Sequence, residues 1–273
     1  MLNNGAYVFG HDEKLVVASP RTIRGGTVTK HLAYLYQLPP TPYEEAWQLQ
    51  QTIHSERVDD KTNDTLLLLE HLPTYTVGRR VKDALRLINE DARIKHSIPI
   101  YQTERGGLIT YHGPGQLVGY PILKLKTYCR GPKTYMHLLE EVLIRLLHDF
   151  GLQAHRRDHC IGVWIADRKI AALGVHVSRG VTMHGFALNV MNDLQAYDWI
   201  IPCGIEGCKV TTMAKELGRD VRLPSVSDRL CAIFAETFGV LFQQERSKDV
   251  LWKHSNQVHL GLKKQPHPTA QAP

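Results

Sequence analysis

A chain of 273 residues, 43% hydrophobic and 22% charged, has the composition of a soluble globular protein and is long enough to bury a full-size core. It has no run approaching the ~20 apolar residues of a membrane-spanning helix, and its five cysteines (129, 160, 203, 208 and 231) form no CxxC pair, which argues against a disulfide framework or a zinc knuckle. The formal charge of +6 favours acidic partners, and the basic groups Arg79-Arg80 with Lys82, Lys124 with Lys126 and Arg130, and Arg156-Arg157 lack the aromatic strands or recognition-helix spacing of nucleic-acid binding.

The N-terminus has no basic and then apolar segment of a secretory signal, and Asp12 and Glu13 do not suit a transit peptide. A cytoplasmic protein is expected, with the mitochondrial matrix as the alternative. Residues 1–30 and the Pro-, Gln- and Ala-rich tail 251–273 read as extensions around one domain, 31–250.

Leu32–Leu38 reads as a strand stopped by Pro39-Pro40. Thr41, Pro42 and Glu44 then predict a capped helix, with Ala46, Leu49 and Ile53 at helical spacing and an end near Arg57. Thr65–Glu70 is a continuous apolar run expected of a central strand buried on both faces, followed by a turn at Leu72-Pro73. Strands follow at Ile98–Thr103, Leu108–Tyr111 and Gln116–Leu125, and then a helix from Pro132 to Phe150 that Gly151 terminates. Three more strands, Ile161–Ala166, Lys169–Val177 and Thr182–Val190, are joined by turns at Asp167-Arg168 and Ser178-Arg179-Gly180. Helices at Thr212–Leu217 and Val226–Phe238 close the domain. Strands that follow one another directly, with helices set apart, give an α+β fold: a mixed sheet flanked by helices.

The segment from Arg105 to Gln116 places four glycines and a proline in twelve residues. Such a backbone can approach a ligand closely, with Arg105 and His112 as polar groups at either end of a short strand; equally it can be two turns around that strand. The Gly-x-x-x-x-Gly-Lys-Ser/Thr and Gly-x-Gly-x-x-Gly patterns are both absent, which excludes a P-loop for ATP. His155, His159 and Cys160, or Cys203 with Cys208, suggest metal ligands, but neither set has a matching second pair, so no metal is assigned. His71 reads as a polar residue at a strand end.

Cys203 stands on a turn between Pro202 and Gly204, which makes it the best nucleophile of the five and leaves backbone N–H groups free for an oxyanion. A thiol of reference pKa ~8.5 is mostly protonated at neutral pH and needs a cationic neighbour to ionise. Lys169, at the head of an otherwise apolar strand, is the candidate, although most lysines so placed face water.

Together, Glu70-His71 to Gly78, Arg105 to Gln116, Lys169 to Gly174, His184 to Asn189 and Pro202 to Ile205 resemble, in order and spacing, the octanoyl-[acyl carrier protein]:protein octanoyltransferases of lipoate biosynthesis. The resemblance covers roughly residues 32–250. It implies the catalytic-domain fold of the biotin and lipoate protein ligases, with a smaller second sheet beside the mixed one. It also implies movement of an octanoyl group from the phosphopantetheine of an acyl carrier protein to a lysine of a lipoyl domain, without ATP and without a cofactor of the enzyme's own. Lipoyl domains of 2-oxoacid dehydrogenase complexes and the glycine cleavage H protein are the implied acceptors of a monomeric enzyme that binds neither nucleic acid nor membrane.

Carried over residue by residue, Cys203 bears the acyl group, and Lys169 keeps its thiol ionised and shuttles protons. The resemblance further implies a substrate pocket lined by Arg105, Gly106, Gly107, Leu108, Ile109, Thr110, Tyr111 and His112, by Ala172, Leu173 and Gly174, and by Gly185, Phe186 and Ala187. His176 departs from the Arg or Lys expected at its position. An ATP-dependent ligase of the same fold is the nearest alternative, but such ligases resemble a longer Gly-Gly-Gly run with an Asp after the histidine, where this chain has Leu108 and Gly113. A non-catalytic basic binding module would leave Lys169 and Cys203 unexplained.

Overall fold

The computed structural model describes residues 30–79, 81, 87–158, 160–202 and 207–245. Both terminal extensions, apart from Lys30, lie outside these residues, as do Arg80, Lys82, His159 and the Cys203-Gly204 turn.

The run of four leucines organises the rest. In β2 (Asp64–Leu69) every residue is buried. Because strand side chains alternate, Leu66 and Leu68 enter one core while Leu67 and Leu69 enter another on the opposite face. Around it, in chain order, come β1 (His31–Gln37), α1 (Tyr43–Val58), β3 (Thr74–Val77), α2 (Glu90–Lys95), β4 (Ile100–Gln102), β5 (Ile109–His112), β6 (Gln116–Ile122), α3 (Leu125–Tyr128) and α4 (Pro132–Asp149). The second half supplies β7 (His155–Arg157), β8 (Cys160–Ile165), β9 (Arg168–Ser178), β10 (Val181–Asn189), β11 (Lys209–Val210), α5 (Met213–Leu217), α6 (Leu223–Phe238) and β12 (Val240–Glu245).

The large sheet runs β12-β1-β2-β6-β10-β9-β8-β7, with β11 alongside β9, and a small sheet runs β4-β3-β5. Parallel pairing joins β12, β1 and β2, whereas β6, β10, β9 and β8 pair antiparallel. This is the expected α+β architecture, mixed sheet and smaller sheet included.

On α4, Leu139, Val142, Leu143, Leu146 and Leu147 recur at helical spacing, are buried, and join Phe234 and Phe238 of α6 in the first core. Each such side chain contributes about 1.5–3 kcal/mol relative to exposure. Gly151, at φ +87°, follows the helix in the left-handed conformation expected of its terminator. Under α1, Ala46 and Ile53 meet Val118, Tyr120 and Ile122 in the second core. A third core joins Tyr75, Val77, Ile109 and Tyr111 of the small sheet to Ile88, Tyr197 and Ile200.

Several expectations change. Thr41 does not cap α1: Pro42 holds the cap position without a side-chain bond, and the Thr41 hydroxyl donates to the Pro39 carbonyl at 2.7 Å. Its backbone is committed elsewhere, donating to Glu70 at 2.9 Å and bridging to His71. The strand expected over Gln116–Leu125 stops at Ile122 and a helical turn follows. The turn placed at Asp167-Arg168 falls one residue earlier, with Ala166 at φ +49° and Arg168 already paired to Ile165. β3, β7, β11, β12 and α2 had not been expected.

Candidate active site

The β9–β10 hairpin carries the site. Arg179 and Gly180, at φ +49° and +80°, form the two-residue turn that right-handed strand twist favours. Register then sets Ala172 opposite Ala187, Leu173 opposite Phe186 and Gly174 opposite Gly185. The loop that opens at Arg105 docks on this hairpin, with Gly106 donating its N–H to the Val175 carbonyl at 2.9 Å. A Cβ at Gly174 would lie 2.8 Å from the Gly106 carbonyl oxygen, so the approach requires glycine there.

Between hairpin and loop lies a cavity of about 470 Å³, part of it open to solvent. Of the residues expected in a substrate pocket, Arg105, Gly107, Leu108, Ile109, Thr110 and His112 line it, together with Ala172, Leu173, Gly174, Gly185, Phe186 and Ala187. Gly106 and Tyr111 are not in its wall: Gly106 ties the loop to β9, and the Tyr111 ring packs at 5.6 Å from Tyr75 and 5.7 Å from Tyr197. Tyr43, Tyr120 and His184 complete the wall and had not been assigned to it. Only His184 carried a signal, as the first residue of a motif already singled out.

Arg105 is largely occupied by the protein itself. Its guanidinium donates to the Thr76 hydroxyl and to the carbonyls of Thr76, Gly106 and Leu108 at 2.6–3.2 Å, which fixes the glycine loop from within. The Thr76 hydroxyl therefore accepts from Arg105 and can donate to His112 Nε2 at 3.2 Å. Gln116 spends its amide N–H groups on Tyr111, Asn189 and Tyr197, so its Oε1 accepts from His112 Nδ1 at 2.9 Å. His112 is thus neutral with its proton on Nδ1, and burial pushes its pKa well down. His71 follows the same logic: Nδ1 donates to the Thr41 carbonyl at 2.9 Å, Nε2 accepts from the Tyr120 hydroxyl at 2.6 Å, and burial lowers the ring to about 4.

His184 differs. Its Nε2 is buried without a hydrogen bond, 3.7 Å from Glu104 Oε2, and its backbone sits at φ +58°, an uncommon conformation for a non-glycine residue within a strand. Burial lowers its pKa. Burial pushes the Glu104 carboxyl up, but hydrogen bonding and the neighbouring His184 outweigh this, and with Trp47 Nε1 donating at 3.4 Å the group settles at about 2.

Lys169 does not face water: it is 4% exposed, with Nζ 5.0 Å from the centroid of the Trp164 ring. β11 pairs in parallel beside it, Val210 opposite Lys169, and the Thr211 N–H reaches the Lys169 carbonyl at 2.9 Å. Cys203 lies outside the described residues, but the chain is tied down on both sides of it. Before it, Ile201 donates to the Leu87 carbonyl at 2.9 Å and Asn89 to the Trp199 carbonyl at 2.7 Å; after it comes β11. Of the other cysteines, Cys231 is inert, its thiol pushed up to about 12 by burial. Among the described residues no group of three or more His, Cys, Asp or Glu is placed to hold a metal ion, and no helix is long and apolar enough to cross a membrane.

Residues 42–235 match the family model described as the lipoyl protein ligase A/B catalytic domain. The chain is 45% identical over 199 residues to an octanoyltransferase of Caldicellulosiruptor bescii, covering 72% of this chain and 87% of that one. It is 46% identical over 201 residues to an octanoyltransferase of Rubrobacter xylanophilus, covering 73% and 90%. In fold it is similar to the solved structure of a putative lipoate protein ligase from T. acidophilum, with a TM-score of 0.66 over 83% of this chain and 93% of that one, at 16% identity.

Proposed function

The chain belongs to the lipoyl protein ligase A/B catalytic-domain family, among its octanoyltransferases, and we propose that it carries an octanoyl group from the phosphopantetheine thioester of an acyl carrier protein, through Cys203, to a lysine of a lipoyl domain. The Cys203 thiolate attacks the donor carbonyl, a new C–S bond forms as the donor's C–S bond breaks, and the phosphopantetheine thiolate leaves with the proton that Lys169 took from Cys203. The neutral amine of the acceptor lysine then attacks the octanoyl-Cys203 carbonyl. The C–S bond breaks, an amide forms, and the proton released from the amine returns through Lys169 to the thiolate. One thioester replaces another and an amide replaces the second, so neither half needs ATP or a cofactor of the enzyme's own.

The observation that carries this reading is the burial of Lys169 on the strand beside which β11 brings back the chain that has just passed Cys203. The apolar and glycine walls from Ala172–Gly174 and Gly185–Ala187 suit an eight-carbon chain lying along the hairpin, with Arg105, Thr76 and His112 holding the opposite wall rigid. Donor and acceptor are acidic proteins attracted by the basic surface, the acceptors being lipoyl domains of 2-oxoacid dehydrogenase complexes and the glycine cleavage H protein. The enzyme acts as a cytoplasmic monomer. The ATP-dependent ligase reading has less support, because the likeness to a ligase lies at 16% identity and that to octanoyltransferases at 45–46%.

The test is to incubate the protein with octanoyl-acyl carrier protein and a lipoyl domain in the absence of ATP. Octanoylation of the lipoyl-domain lysine is expected. Octanoylation that requires ATP and free octanoate would contradict the proposal.

A further inference from the structure

Three features of the sheet converge on the Lys169 side chain. The pairing of β8 with β9 slips by one residue, with Val163 opposite Ala171 but Trp164 opposite Lys169. The extra residue, Ile170, bulges β9 and re-aims the lysine relative to the residues that follow it. Next, the stem of Lys169 runs past Gly162, where a Cβ would lie 2.8 Å from Lys169 Cε, 3.3 Å from Nζ and 2.8 Å from the Ala171 carbonyl oxygen. Gly162 also has φ +136°, so neither the space nor the backbone admits a side chain. Its N–H donates to Glu140 Oε1 of α4 at 3.2 Å, which ties this slot to the first core through a carboxylate only 5% exposed. Finally, Trp164, 1% exposed, presents its ring to the ammonium. The indole is held in turn, its Nε1 donating to the Cys160 carbonyl at 3.2 Å and the Arg157 guanidinium lying 4.6 Å from the ring centroid.

We propose that Gly162 and Trp164 are positioning residues for the transfer reaction, acting through Lys169: Gly162 leaves the channel its stem occupies, and the Trp164 ring face fixes the direction of its amine. This rests on the role given to Lys169 above. A lysine of this kind has four rotatable stem bonds and no intrinsic direction. Proton transfer needs one direction, and a misplacement of about 1 Å costs on the order of 100-fold in rate.

The experiment measures transfer from octanoyl-acyl carrier protein to a lipoyl domain by the full chain and its variants, each below its own melting temperature. Gly162→Ala and Trp164→Leu should lower kcat by about 100-fold while KM for the carrier protein stays nearly constant. Trp164→Phe, which keeps a ring face, should recover most of the rate. In a Lys169→Met background, Trp164→Leu should cost nothing further, since its effect passes through the lysine. Unchanged kcat in Trp164→Leu, no recovery in Trp164→Phe, or full additivity with Lys169→Met would overturn the assignment, and the Trp164 pair decides it even if Gly162→Ala fails to fold. A wild-type chain that transfers nothing would remove the proposed function and this role with it, an outcome distinct from an active wild type with indifferent variants.

Discussion

On the face of the large sheet covered by α4 and α6, burial is mainly apolar, in Leu139, Val142, Leu143, Leu147, Ile233 and Phe234, with Glu140 and Ser227 as the buried polar residues of the two helices. Beneath α1 and the small sheet, burial takes in Gln50, His54, His71, Thr76, Arg105, His112 and His184. Three of the four buried polar side-chain atoms without a hydrogen bond among the described residues, Gln50 Nε2, His54 Nε2 and His184 Nε2, belong to this second region. An apolar layer gains stability from every buried methylene, whereas a buried polar group nets only about 0.5–1.5 kcal/mol when hydrogen-bonded and costs about 1–3 kcal/mol when it is not. Such groups persist where geometry matters more than stability, and here Arg105, His112 and His184 line the cavity. The first face holds the sheet in shape, and the second uses that shape.

Lys169→Met is the sharpest way to separate the two. The apolar stem fits the same channel, so the variant should stay folded, while transfer falls by at least about 100-fold, as expected for loss of a proton-transfer group. Parallel loss of stability and activity in thermal melts and transfer assays would erase the distinction. Leu143→Ala, on the α4 face, should do the reverse. It should lower unfolding free energy by about 2–5 kcal/mol in urea titrations, with the activity of the folded fraction unchanged.

Acid should act on the polar region first. His71 has a folded pKa of about 4, below the ordinary 6.5 that the unfolded chain approaches, so between these values the unfolded state binds more protons and stability falls as pH falls. Burial drives His112 the same way. The urea midpoint should therefore decline from pH 6.5 towards 4, less steeply in His71→Gln, and identical slopes would contradict the assignment of the neutral imidazole. The smallest effect belongs to the exposed pair of Arg229 with Asp149, bonded at 2.6 Å from Nε. Arg229→Ala should change stability by no more than about 1 kcal/mol, and less in high salt.

How much of this could be read beforehand follows the same division. The leucine run of β2, the apolar stripe of α4 and the Arg179-Gly180 hairpin are local patterns, and the sequence displays them. β7, with His155, Arg156 and Arg157 all exposed, has no apolar alternation to reveal it and exists because β8 offers an edge. β12 depends on pairing with β1, some two hundred residues earlier in the chain. Thr41 looked like a helix cap, but a local hydroxyl bond to Pro39 and a long-range backbone bond to Glu70 claimed it. In the site, the glycine loop and the small residues of the hairpin were legible as motifs. Tyr43 and Tyr120 were not, since only the fold brings α1 and β6 to the same cavity; the hairpin of β8 and β9 was legible, but not the one-residue slip that sets Trp164 opposite Lys169.

In the proposed reaction the octanoyl group resides on Cys203 in transit. Peptide mass spectrometry of the protein after mixing with octanoyl-acyl carrier protein, without ATP or acceptor, tests this directly. One octanoyl unit is expected on the peptide that contains Cys203, absent in Cys203→Ser and discharged when a lipoyl domain is added. An acyl group on a different cysteine, or one that the lipoyl domain does not remove, would contradict it.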